Sequence, residues 1–72
     1  MGSVAAVGEW ARIAGLALAG VDVYPAEGAP QVREVLAGLG PEVALVVMTP
    51  DAWEAAGAHR EDVGPLTVVM PP

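Results

Sequence analysis

Cysteine and lysine are both absent from this chain, and serine and histidine occur once each, as Ser3 and His59. Without cysteine there is no disulfide to staple a small fold, no thiolate nucleophile and no zinc knuckle. Without lysine there is no phosphate-loop lysine, and the GxxxxGK[ST] pattern is missing. The cations are three arginines, set against nine acidic residues, for a net charge of -6. So few cations cannot neutralise a run of nucleic-acid phosphates, and an anionic membrane surface would repel the chain. A lone serine in the terminal segment leaves no credible Ser-His-Asp constellation. No apolar run reaches the roughly 20 residues that span a bilayer, because Glu9, Arg12 and Asp22 interrupt the longest one. No secretory leader pattern opens the chain, so a cytoplasmic protein with no membrane insertion is expected.

Apolar side chain is what the chain has in abundance. Of 72 residues, 54% are hydrophobic and only 17% charged, with a mean hydropathy of +0.51. The length suits a single domain, residues 1–72. A domain of this size buries only about 60% of its unfolded surface. That much apolar material cannot all be hidden, and a contiguous exposed patch marks a partner. The acidic balance is compatible with a basic partner protein, and charge alone does not identify which one.

Apolar runs and turn residues alternate along the chain. Residues 4–7 read as a short strand. Residues 9–19 are helical by their Ala and Leu content, with Gly20 as a stop. Residues 21–24 alternate as a half-buried strand does. Residues 29–39 form a second helix, with Pro30 in its first turn and Gly40-Pro41 ending it. Residues 43–48, VALVVM, are continuously apolar, the pattern of a strand buried on both faces. Residues 50–56 are a short helix, 58–65 a polar loop, and 66–70 a last strand stopped by Pro71-Pro72. The order βαβαβαβ implies an α/β fold: a parallel sheet with right-handed crossovers and flanking helices. An alternating strand at the edge and VALVVM at the centre give strand order 2-1-3-4, a flavodoxin- or receiver-like, Rossmann-like three-layer arrangement.

The two long helices differ. In the second, Val32, Val35, Leu36 and Leu39 make one apolar stripe, while Gln31, Arg33 and Glu34 face water. In the first, Trp10, Ile13, Leu16 and Leu18 point in several directions, and Leu16 falls on the face that Glu9 and Arg12 should own. A helix apolar nearly all round wants a neighbour besides its own sheet. Trp10, Ile13 and Leu16 are therefore the candidate partner-binding residues. Trp53 is expected in the core.

In an open parallel sheet, ligands sit at the carboxyl ends of the strands where the order switches. Here that places Gly8-Glu9 beside Thr49-Pro50-Asp51. Glu9 and Asp51 are candidate ligand- or cation-binding carboxylates. The competing reading makes Thr49 an N-cap, Pro50 a first helical residue and Asp51 a complement to the helix dipole. A receiver-type phosphorylation site is not matched, since the third strand ends in Met48-Thr49 rather than an aspartate. His59 with Glu61 and Asp62 falls short of the three or four convergent ligands of a metal site. No metal, cofactor or enzymatic activity is expected.

Several segments together resemble the F subunit of the vacuolar/archaeal-type (V/A-type) rotary ATPases and ATP synthases. VAAVGE resembles that family's first strand and Gly-acidic turn. GLALAGV and Val23-Tyr24 resemble the end of its first helix and its second strand. Residues 27–40 resemble its second helix, ALVVMTPDAW its third strand and following turn, and PLTVVMPP its fourth strand. The resemblance implies a short form that stops before the family's C-terminal helix, with Ala17 where the family often has arginine. It implies a non-catalytic central-stalk rotor component that packs on the rotor shaft, which is the D subunit. Such a component couples ATP hydrolysis or synthesis to proton or ion transport, and is peripheral to the membrane through the complex. The alternatives are a stand-alone homo-oligomeric interaction module and a small cation- or ligand-binding domain using Glu9 and Asp51.

Overall fold

The computed structural model describes residues 2–57 and 66–71. The sequence-predicted loop at 58–65, with His59, Glu61 and Asp62, lies outside these residues. The elements in chain order are β1 (Ser3–Gly8), α1 (Trp10–Ile13), a 3-10 segment (Ala14–Ala19), β2 (Asp22–Pro25), α2 (Gly28–Gly38), β3 (Val43–Met48), α3 (Pro50–Ala56) and β4 (Leu66–Val69). The four strands form one parallel sheet in the order β2-β1-β3-β4, as the sequence reading requires.

The register sorts the side chains onto two faces, because successive residues of a strand point opposite ways. Ala5 pairs with Val46 and Val7 with Met48. These four are fully buried, and they share a core with Val32 of α2 and Ala52 and Ala56 of α3. Val35, Leu36, Leu39 and Trp53 close over its rim. The apolar stripe read in the second helix is thus the stripe that meets the sheet, and Gln31, Arg33 and Glu34 are exposed as expected. Each buried Val or Met contributes about 1.5–3 kcal/mol relative to exposure.

The opposite face is dressed differently. Ala6 and Ile13 are fully buried and stand outside that core, where α1 and the 3-10 segment lie against β1 and β2. Val4, Ala6, Leu45 and Val47 share this face, and the register continues it to Leu66 and Val68 of β4. Leu66 is 72% exposed and Val68 47%. Leu45 and Val47 are only half-buried. The expectation that residues 43–48 are buried on both faces is therefore corrected: Val46 and Met48 are buried in the core shared with α2 and α3, whereas Leu45 and Val47 on the other face are only half-buried.

The first helix also departs from expectation. One α-helical turn gives way at Ala14 to a six-residue 3-10 segment that buries none of its residues. The sequence AGLALA explains this. Its two leucines stand two apart, so they form no stripe at three- or four-residue spacing, and Gly15 weakens the helix. Gly20 closes the segment with a left-handed backbone (φ 84°), its N–H donating to the Ala17 and Leu16 carbonyls. Leu18 is left 94% exposed. Arg12 reaches from α1 to the chain beyond β4, where its Nη2 donates to the Pro71 carbonyl at 2.8 Å. No helix among the described residues is long and apolar enough to cross a membrane.

Candidate functional site

Two regions of the surface are distinctive: the carboxyl edge of the sheet, and the open half of the face over β3 and β4.

At the carboxyl edge the chain order switches between β1 and β3, and the two turns there are fastened together. Gly8 ends β1 against Thr49, and a Cβ at Gly8 would overlap the Thr49 side chain. Thr49 is fully buried with every polar group engaged. Its N–H donates to the Val7 carbonyl at 3.2 Å and its carbonyl accepts from Trp53 N–H at 2.9 Å. Its hydroxyl oxygen accepts from Ala52 N–H at 3.2 Å, capping α3, and the same hydroxyl donates to Glu9 Oε1 at 2.7 Å. The cap read in Thr49-Pro50-Asp51 is present, with Pro50 in the first turn and Asp51 exposed in it. Glu9 starts α1 without capping it by its side chain, which is committed to Thr49 instead.

A third carboxylate joins from the turn after β2. Ala26 N–H donates to the Gly8 carbonyl at 2.9 Å, and Glu27 N–H donates to Gln31 Oε1 at 2.8 Å. Together these bonds set the Pro-Ala-Glu-Gly turn beside Glu9. A cleft of about 170 Å³ is lined by Glu9, Glu27 and Asp51 with Ala26, Gly28, Val32 and Ala52. The two carboxylates singled out in the sequence thus line one cleft. Among the described residues, no group of three or more acidic or histidine side chains is disposed to hold one metal ion.

On the α1 side, Glu9 and Glu27 also border a larger cleft of about 540 Å³, with Trp10, Ala11, Pro25, Ala26 and Gln31. Trp10 is 56% exposed. A further groove of about 370 Å³ runs along the β2 edge between Tyr24 and α2. What the carboxyl edge offers chemically, among the described residues, is carboxylate acceptors, an amide and an indole.

The three candidate partner residues fall in different places. Trp10 is exposed beside the larger cleft, Leu16 is half-buried in the 3-10 segment, and Ile13 is fully buried and offers no surface to a partner. Sequence reading missed the roles of Glu27 and Gln31. Their spacing of four on the helix that opens just after the second strand was the available signal. It also missed the open half-face. There the signal was the strand order: crossing from strand 2 over to strand 3, and on to strand 4, puts both right-handed connections on one side.

No family model and no curated protein matches the chain. Among solved structures, the F subunit of the V-type ATP synthase from Archaeoglobus fulgidus superposes with a TM-score of 0.76 at 20% identity, over 97% of this chain and 98% of that one. At that identity the likeness is one of fold.

Proposed function

We propose that this chain is a non-catalytic component of the stalk of a V/A-type ATPase, equivalent to its F subunit. The observation that carries the reading is the near-complete superposition on the F subunit of a V-type ATP synthase, which leaves almost nothing of either chain unmatched. The segment-by-segment sequence resemblance agrees with it. In this reading the partner is the rotor shaft, the D subunit, and the chain serves coupling between ATP hydrolysis or synthesis and proton or ion transport. It would sit in the cytoplasm, held near the membrane by the complex.

The open half of the sheet supplies a contact surface for such a partner. Parallel sheets are normally covered on both faces. Here Leu45, Val47, Leu66 and Val68 form an apolar strip on the α1 side of the sheet. A helix of the shaft laid over β3 and β4 would add a covering layer that the described residues do not supply there.

The test is native mass by light scattering, for the chain alone and after co-expression with the rotor shaft protein of its own organism. A monomer alone and a stable one-to-one complex are expected. A homo-oligomer that ignores the shaft would overturn the reading. That outcome would favour the alternative module, in which the same apolar strip, or the sheet edges at β2 and β4, meets a second copy.

A further inference from the structure

We propose that the cleft beside Trp10 seats an arginine side chain presented by a basic segment of a partner protein, its guanidinium stacked on the indole and paired with Glu9 and Glu27.

The cleft is walled by apolar groups, Trp10, Ala11, Pro25 and Ala26, with Glu9, Glu27 and Gln31 as its polar members. No cation lines it. Among the described residues, neither carboxylate has a basic partner: Glu9 takes the Thr49 hydroxyl on Oε1, and Glu27 is bonded through its backbone N–H. The second oxygen of Glu9 and both oxygens of Glu27 therefore keep their acceptor capacity. The Thr49 bond holds the Glu9 carboxylate in place before any ligand arrives, so little side-chain freedom is lost on binding. Gln31 is held in the same way through Oε1, which leaves its amide N–H groups to donate to a backbone carbonyl of the incoming segment.

An exposed tryptophan that lines one cleft with two carboxylates selects for a flat cation. Arginine presents a planar guanidinium that stacks on an aromatic face while its edge donates to carboxylates. Lysine, a strongly hydrated point charge, fits the carboxylates but gains less from the indole. The net charge of -6 draws a basic segment toward the chain from a distance. The site lies at the carboxyl edge of β1 and β2, apart from the apolar strip over β3 and β4, and does not depend on the stalk reading.

The probe is the blocked pentapeptide Ac-Gly-Ala-Arg-Ala-Gly-NH2, titrated into the intact chain and followed by amide and indole NMR shifts, with its Lys counterpart as control. Saturable shifts at the Trp10 indole and at Glu9, Glu27 and Gln31 are expected. The Lys peptide should bind about threefold more weakly, and Trp10→Leu and Glu27→Gln should each weaken the Arg peptide by about fivefold. Trp10 and Glu27 are surface side chains, so both variants should keep the wild-type amide spectrum elsewhere. Equal binding of the two peptides, shifts centred away from this cleft, or an unchanged affinity in a folded Glu27→Gln variant would each overturn the proposal. Failure to bind the rotor shaft, with this titration intact, would remove only the stalk reading.

Discussion

Thr49 and Glu9 stand forty positions apart, and the threonine hydroxyl donates to the glutamate carboxylate at 2.7 Å while also capping α3. One side chain thus fastens the turn after β1 to the helix after β3. Thr49→Val keeps the shape and removes both bonds. It should cost about 1–2 kcal/mol, lowering the midpoint of thermal unfolding by roughly 5–15 °C in a domain of this size. Thr49→Ser should retain most of the wild-type stability. A Val variant as stable as wild type would show that the bridge contributes nothing.

Gly8 is required by the same neighbour. Gly8→Ala sets a methyl group into the space of the Thr49 side chain, and overpacking of this kind costs about 1–3 kcal/mol. In a Thr49→Ala background the methyl has more room, so part of that cost should be recovered. Urea unfolding of the four chains in the cycle measures the coupling, expected at about 1 kcal/mol. Strict additivity would mean that the penalty at Gly8 arises from the backbone and not from Thr49.

The two faces of β3 and β4 should answer differently to substitution. The double variant Leu66→Gln, Val68→Thr changes exposed residues. It should shift stability by no more than about 0.5 kcal/mol per site, while lowering the binding of a hydrophobic reporter dye. Met48→Ala, on the packed face, should cost about 2–4 kcal/mol. Comparable losses at both places would mean that the strip is covered in solution.

The two tryptophans give a spectroscopic check. Trp10 is exposed, whereas Trp53 is half-buried against the core. With Trp53→Phe, the remaining Trp10 should emit at longer wavelength and be quenched more strongly by acrylamide than Trp53 is in Trp10→Phe. The reverse order would place Trp10 under cover.

Much of this fold was legible because punctuation and pattern agreed. Residues 43–48 are bounded by Gly40-Pro41 on one side and Thr49-Pro50 on the other, so β3 and α3 begin and end where expected. The strand order followed from one alternating and one continuous apolar run. What misled was side-chain character taken without a count of covering layers. Leu45 and Val47 are as apolar as Val46 and Met48, yet among the described residues only the latter pair belongs to the core under α2 and α3. In the first helix, Ala and Leu promised regular α-helix, but propensity summed over few residues yields when no stripe exists to pack. The carboxyl-edge cleft was half visible. Glu9 and Asp51 lie in the turns that follow β1 and β3, whereas Glu27 joins them because the Gly8 carbonyl holds the Ala26 turn alongside.

The apolar strip on β3 and β4 also bears on supply. A copy without a partner displays greasy strands of the kind that chaperones and proteases recognise in failed folding. If a shaft covers that strip, orphan copies become substrates for degradation while assembled ones are shielded. The cell then need not match synthesis rates closely, because turnover trims the surplus to the number of assembly sites.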